Sequence, residues 1–249
     1  MLDRERIVSQ LNSDRYGITL VSETDSTNTD LKALALDGAA AGVTLIAEAQ
    51  TGGRGRRGRT FASPQGGLYL STLLRPAQPV KPGLVTCLAA VAAARAIESL
   101  CHLYVDIKWV NDLYLNDRKV AGILAEGVLT PTGDLSAVVL GIGINLTGDL
   151  PEELAAIATT LEAEGATLCR EDLAAAFLNE WERVTALPVE EGMAEYCKRS
   201  LVIEREIMVV QGTDTYPATA LAVTPEGHLR VRTADGEREL SSGEVSVRL

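Results

Sequence analysis

The sequence predicts an α+β fold, in which a mixed β-sheet with helices on one side is followed by a small all-β unit. Three observations carry this. Apolar strand-like runs and helical stretches are interspersed up to about residue 200, helical periodicity disappears from Val202 onward, and 249 residues at 46% hydrophobic can bury a large core without disulfide or metal. The expected division is residues 1–200 for the sheet-and-helix domain and 201–249 for the β unit.

The elements follow from local pattern. Residues 3–12 read as a short helix and 17–22 as a strand. Ser26 is placed to cap a helix over Thr27–Asp37, its hydroxyl accepting from free amides of the first turn. Val43–Ala49 has the continuous apolar character of a strand, and a Gly/Arg loop and a strand over Leu68–Leu74 come next. Pro82 opens an Ala/Val/Leu helix to about Leu100. Strands are expected over Leu103–Trp109, Leu113–Leu115, Lys119–Leu129 and Leu135–Leu146, separated by turn residues. Helical material is expected over 151–199, including Glu171–Leu187. Five short β runs then alternate with turns at Gly212, Pro225–Gly227, Asp235-Gly236 and Ser242-Gly243, as in a small barrel.

Composition narrows the function. A net charge of −11 repels duplex DNA unless a separate basic surface offsets it. Cys87, Cys101, Cys169 and Cys197 include no C-x-x-C pair, so zinc or dithiol chemistry is not indicated. His102 and His228 both read as structural. No apolar run is seen to approach the ~20 residues of a membrane span, and the charged start is unlike a signal peptide, so a cytoplasmic protein is expected.

The most unusual segment is Gly53-Arg54-Gly55-Arg56-Arg57-Gly58-Arg59, in which four guanidinium groups fall within six residues. An arginine run can be a solvated or nucleic-acid-binding face. Here it follows a buried-looking strand, its glycines let backbone approach a ligand, and the arginine fork suits phosphate and carboxylate oxygens. Bringing a carboxylate to the α-phosphorus of ATP opposes anions at roughly 4 kcal/mol per unit pair at 4 Å and an effective dielectric of 20. Fixed cations offset that cost. With three glycines and four like charges, the loop is expected to be mobile alone and to order around an anion.

Further motifs are weaker singly. Lys108-Trp109-Val110-Asn111-Asp112 gathers a cation, an amide and a carboxylate at a turn, suited to phosphate, sugar or Mg²⁺, or simply to a polar turn over a buried tryptophan. Lys119 heads an apolar strand, where a lysine can equally snorkel to water. Gly141-Ile142-Gly143-Ile144-Asn145 is not a dinucleotide fingerprint; glycines inside a strand indicate close approach by something else.

In this order, Ser26-Thr27-Asn28, Gln50, Gly53–Arg59, Lys108–Asp112, Lys119–Gly122, Gly141–Asn145 and the β tail resemble the biotin–protein ligase family over nearly the whole chain. The resemblance implies an SH3-like C-terminal barrel, biotin and ATP as substrates with Mg²⁺, and a biotin carboxyl carrier protein or carboxylase carrier domain as partner. Ser26, Thr27, Asn28, Gln50, Gly53, Arg54, Gly55, Arg56, Lys119, Gly122, Gly141 and Gly143 would hold biotin. Arg56, Arg57, Arg59, Phe61, Lys108, Asn111, Asp112 and Asn145 would serve ATP. The expected catalytic groups are Arg54, Arg56, Lys119 and Asp112; no metal ligand is assigned.

Val110 stands where the family commonly has proline, which is expected to make that turn less rigid. Only about 25 residues precede Ser26, too few for the winged helix of repressor relatives, so a monofunctional ligase that binds neither DNA nor membrane is expected. Oligomeric state stays open, a homodimer included. The nearest rival is a lipoate ligase or octanoyltransferase of the same fold, whose loop is accompanied by a histidine; none lies near Arg54.

Overall fold

The computed structural model describes residues 2–78, 80–211, 213–241 and 244–247; the turns expected at Gly212 and Ser242-Gly243 lie outside them. The chain runs α1 (Arg4–Ser9), β1 (Gly17–Thr24), α2 (Thr27–Leu36), β2 (Val43–Gln50), β3 (Leu68–Leu74), α3 (Pro82–Cys101), β4 (Asp106–Lys108), β5 (Asp112–Leu115), β6 (Arg118–Leu129) and β7 (Leu135–Ile144). It continues with α4 (Arg170–Ala186), α5 (Val189–Lys198), β8 (Glu206–Gln211), β9 (Asp214–Val223), β10 (Leu229–Thr233), β11 (Gly236–Leu240) and β12 (Glu244–Val247).

The first seven strands form one mixed sheet in the order β1-β2-β3-β7-β6-β5-β4, with β1 and β2 parallel and the other neighbours antiparallel. Strand alternation divides its side chains between two faces. Ile46, Leu70, Ile123, Leu140 and Ile142 belong to a large core shared with α1, α3, α4 and α5. Leu45, Leu73, Val128, Ala137 and Val139 face the other way, against Leu31 and Ala35 of α2. The expectation of helices on one side is therefore corrected: α2 covers part of the opposite face. Its ten residues span only about 15 Å at 1.5 Å per residue, too short to cover the sheet.

The expectation that no apolar run reaches membrane-spanning length is also corrected. Helix α3 has the length and composition of a span, yet packs between the sheet and α4 and α5 as the core helix. Its alanines let α4 come close, and a left-handed His102 ends it, so the strand expected from Leu103 starts only at Asp106.

Three other local readings change. The helix expected over residues 3–12 is only Arg4–Ser9, with Asp3 capping it by accepting from the amides of Glu5 and Arg6. Ser26 occupies the N-cap position of α2 but its hydroxyl makes no capping bond; the Thr27 amide donates instead to Gln50 Oε1 at 2.9 Å. Residues 151–169 are not helical beyond a short 3₁₀ turn at Glu152–Leu154. Their backbone is claimed by the sheet, with Thr159 N donating to Lys119 O and Leu161 N to Asn145 O, both at 2.9 Å, so tertiary bonds override helix propensity.

Strands β8–β12 form a separate antiparallel sheet in the order β11-β10-β9-β8-β12. It shares the large core through Ile207, Val209, Ala220 and Leu229. A polar tie reinforces the junction, Trp109 Nε1 donating to Gly227 O at 3.0 Å, and within the helical layer Arg199 forks onto Glu98 of α3 and Glu195 of α5. Wholly buried Tyr196 donates to Val110 O at 3.1 Å, steadying the Lys108–Asp112 turn from beneath; the Trp109–Val110 peptide there is cis. Tyr196→Phe leaves that carbonyl without its donor and should cost about 1–2 kcal/mol in urea unfolding with an unchanged m-value. Wild-type stability would show that Val110 O finds another donor.

Candidate active site

The half of the α2 face that α2 leaves bare is a cavity of about 540 Å³. Its floor comes from strand register. Ser71 pairs with Gly141 and Gly141 with Leu124; one step along, Tyr69, Gly143, Gly122 and Asp112 form a continuous row. At Gly141 a Cβ would lie 2.0 Å from Asn28 Oδ1, and at Gly143 2.5 Å from the Phe61 ring. Any larger residue there would fill the floor or displace the side chains that wall it.

One end of the cavity is neutral and polar. Thr27, Asn28 and Ser71 are buried there, and Ser71 Oγ donates to Asn28 Oδ1 at 2.6 Å. Thr27 Oγ1 and Ser71 Oγ are 2.7 Å apart, and Gln50 Nε2 donates to Ser63 Oγ at 2.9 Å. Ser26 also lines this end.

The other end is charged. Lys119 Nζ lies 2.7 Å from Asp112 Oδ1 and 5.6 Å from the centroid of Phe61, whose ring meets Tyr69 edge-on. Lys108 sits over Tyr114 at 5.5 Å, beside Asp112 in the β4–β5 pairing. The Arg56 guanidinium is partly desolvated, which lowers its pKa; the Asp112 charge opposes that shift and Arg57 adds to it. Such a cation is stabilised by an incoming anion.

The arginine loop has a framework of its own. Gly55 N donates to Arg59 O at 2.7 Å, Phe61 N donates to Gly53 O at 2.9 Å, and Arg57 takes a left-handed conformation at φ 58°. Arg57 also donates to Val210 O of β8 at 3.4 Å. Arg54 pairs with Glu126 at 3.2 Å, so like-charge repulsion alone does not govern the loop.

The pattern of the Biotin/lipoate A/B protein ligase family matches residues 20–145, and that of the Biotin protein ligase C terminal domain matches 202–248. The chain is 35% identical to the biotin–[acetyl-CoA-carboxylase] ligase of Mycobacterium tuberculosis, over 98% of this chain and 95% of that one. It is 34% identical to the bifunctional ligase/repressor BirA of Salmonella typhimurium, over 100% and 79%. The chain belongs to the biotin protein ligase family. The fold of this ligase superposes on the Aquifex aeolicus biotin protein ligase in complex with biotin and ATP at TM-score 0.78, with 28% identity and 93% and 98% coverage. The Leishmania major ligase in complex with biotinyl-5-AMP gives 0.64, with 27% identity over 91% and 99%.

Of the site residues expected from sequence, Ser26, Thr27, Asn28, Gln50, Arg54, Gly55, Arg56, Arg57, Arg59, Phe61, Lys108, Asn111, Asp112, Lys119, Gly122, Gly141, Gly143 and Asn145 line the ligase's cavity. Gly53 is not among its lining residues; a Cβ there would meet Phe61 O at 2.3 Å and Ser63 Oγ at 2.4 Å, so it closes the loop hairpin. Three amides are used by the fold. Asn28 Nδ2 donates to Glu126 and Leu124 O, Asn111 Nδ2 to Ile123 O, and Asn145 Nδ2 to Thr159 O. Sequence reasoning missed Ser71 and Glu126. Glu126 carried one signal, a carboxylate inside an otherwise apolar strand.

None of the four cysteines lines the cavity, and burial pushes the Cys87 thiol up to about 12. Among the described residues no cluster of three metal-ligating side chains occurs, and Asp112 is the carboxylate that lines the cavity.

Gly141→Ala drives a methyl group into an Asn28 amide held from three sides. Stability should fall by about 1–3 kcal/mol in urea unfolding. An unchanged midpoint would mean that Asn28 can swing aside freely.

Proposed function

We propose that this biotin protein ligase joins biotin to a lysine of a carrier protein in two half-reactions within this cavity. A biotin carboxylate oxygen attacks the α-phosphorus of ATP; a P–O bond forms, pyrophosphate leaves, and biotinyl-5′-adenylate remains. A carrier lysine nitrogen then attacks the acyl carbon, AMP leaves, the amine loses its proton, and an amide is formed. The observation that carries this reading is the polarity of the cavity. A neutral hydrogen-bonding end at Thr27, Gln50 and Ser71 faces a cationic end at Lys119, Arg56 and Lys108 across a glycine floor. From β3 to β5 is three strand spacings, roughly 14 Å, which suits a ligand with a neutral ring at one end and a carboxylate at the other.

Ser26, Thr27 and Gln50 are assigned to the ureido ring, with Asn28 shaping that end. Lys119 is assigned to the biotin carboxylate, Arg54 and Arg56 to the carboxylate and α-phosphate, and Arg57, Arg59, Lys108, Asn111, Asn145 and Phe61 to the nucleotide. These groups lower the barrier by positioning and by offsetting anionic charge. Mg²⁺ carried by ATP keeps most of its ligands from phosphates and water, so one carboxylate suffices on the protein; Asp112 would supply it. The metal would neutralise phosphate charge. Residues 1–200 form the catalytic domain in this reading and 201–249 an appended β domain, the acceptor being a biotin carboxyl carrier protein. The net charge of −11 argues against DNA binding by this chain.

Biotin-dependent exchange of pyrophosphate into ATP tests the first half-reaction, with lipoate and octanoate as controls. Exchange with either control acid and not with biotin would overturn it. Lys119→Ala should weaken biotin binding by roughly two to three powers of ten, since truncating one member of a partly desolvated charged pair costs about 2–5 kcal/mol. A biotin analogue with an alcohol in place of the carboxylate should lose far less on the same substitution. Equal losses for both ligands would remove Lys119 from the carboxylate and assign it to Asp112 alone. Selective retention of a biotin-operon DNA fragment at about 0.15 M salt would refute the absence of DNA binding.

A further inference from the structure

Glu126 lies on β6 where the strand passes from beneath α2 into the cavity, and the reaction scheme above leaves it without a task. Its two oxygens are divided. Oε1 receives Lys32 Nζ at 2.5 Å and Arg54 at 3.2 Å, and Oε2 receives Asn28 Nδ2 at 2.9 Å. A carboxylate only accepts, so the Asn28 amide is held with its nitrogen toward Glu126 and the Leu124 carbonyl and its oxygen toward Ser71.

The orientation of Asn28 fixes the protons beyond it. A hydroxyl has one proton. That of Ser71 goes to Asn28 Oδ1 at 2.6 Å, so the 2.7 Å contact between Ser71 and Thr27 must be bridged by the Thr27 proton. The 3.1 Å approach of Thr27 Oγ1 to Gln50 Oε1 is then two acceptors side by side; Gln50 Oε1 takes its bond from the Thr27 backbone amide at 2.9 Å. A donor from a ligand satisfies both oxygens.

We propose that Glu126 is a positioning residue that sets the hydrogen-bond polarity of the neutral end of the cavity. Acting through Asn28 and Ser71, it makes Thr27 Oγ1 and Gln50 Oε1 acceptors for a ligand N–H. The same carboxylate holds Arg54, tying the ring-recognition end to the arginine loop. The inference rests on the biotin reading, in which a ureido N–H is the donor received.

Glu126→Gln inverts this polarity. Glutamine offers one oxygen to two cations, Lys32 and Arg54, and turns its amide nitrogen toward Asn28. Asn28 must flip, Ser71 and Thr27 reverse in turn, and the ligand N–H meets a donor. Calorimetric biotin affinity should fall about thirtyfold, because a polar contact is lost and a buried group left unpaired. ATP affinity should change by less than about fivefold: Arg54 loses its Glu126 partner, but a half-exposed ion pair contributes at most about 1 kcal/mol, and Asn28 shares no hydrogen bond with the nucleotide residues. Asn28→Asp alone sets oxygen against the Glu126 carboxylate and should also lose biotin. The double variant Glu126→Gln with Asn28→Asp restores the pattern. Its glutamine amide donates to one oxygen of the carboxylate that replaces the Asn28 amide, and the other oxygen accepts from Ser71. Its biotin affinity should return to within about fivefold of wild type.

A double variant as weak as the product of the single losses would overturn the proposal. So would wild-type biotin affinity in Glu126→Gln, or parallel loss of ATP and biotin affinity. If either single variant does not fold, the double variant, with the same net charge as wild type, decides alone. Failure of the wild-type ligase to bind biotin would instead overturn the functional reading, and this inference with it.

Discussion

The sheet has two faces to cover and one short helix for the second. Helices α1, α3, α4 and α5 bury one face with Ile46, Leu70, Leu140 and Ile142. Helix α2 covers Leu45, Leu73, Ala137 and Val139 on the other and then ends. Beyond it β7 carries Gly141 and Gly143, β6 carries Gly122, and apolar packing gives way to space. The cavity follows from this partial cover. An uncovered stretch of large apolar side chains would invite association; glycine removes them and leaves backbone to meet a ligand.

The border between the covered and bare halves is where the polar network runs. Glu126 falls there because β6 alternates Gly122, Leu124, Glu126 and Val128 on the α2 face, passing from cavity floor to helix-covered core. Burial penalises its charge, yet Lys32, Asn28 and Arg54 together outweigh that and hold its pKa below the usual carboxylate value. A carboxylate so held stays ionised at neutral pH. Its contribution to stability is complete above the ordinary glutamate range and is lost as pH falls through the depressed folded-state value.

At the opposite end the fold concentrates cations in a chain that is acidic overall. Lys119 on β6 and Lys108 on β4 arrive on either side of β5, and the loop between β2 and β3 brings four arginines to the cavity. Asp112 lies among them, paired with Lys119 and close enough to Arg56 to offset part of its desolvation. A cationic pocket inside an acidic surface favours small anions over polyanionic duplexes, because the long-range field is negative and the local one positive.

Much of this was legible from residues alone. Apolar periodicity marked β2, β3, α3 and β6, and the helix-to-strand change near residue 200 marked the second sheet. The glycine and arginine loop, Lys119 and the strand glycines identified most of the cavity lining, since close backbone approach and clustered guanidinium groups have few other uses. The tertiary structure decided what depends on neighbours distant in sequence. Helix α2 crossed to the other face because Leu31 and Ala35 needed Leu45 and Val139. Residues 151–169 lost their helix to backbone bonds with Lys119 and Asn145. Gly53 serves the loop rather than the cavity, and Asn28, Asn111 and Asn145 gave their nitrogens to the fold. Periodicity reports which side of an element is buried; which partner a polar atom meets, 98 residues away in the case of Asn28 and Glu126, is set only when the strands pair.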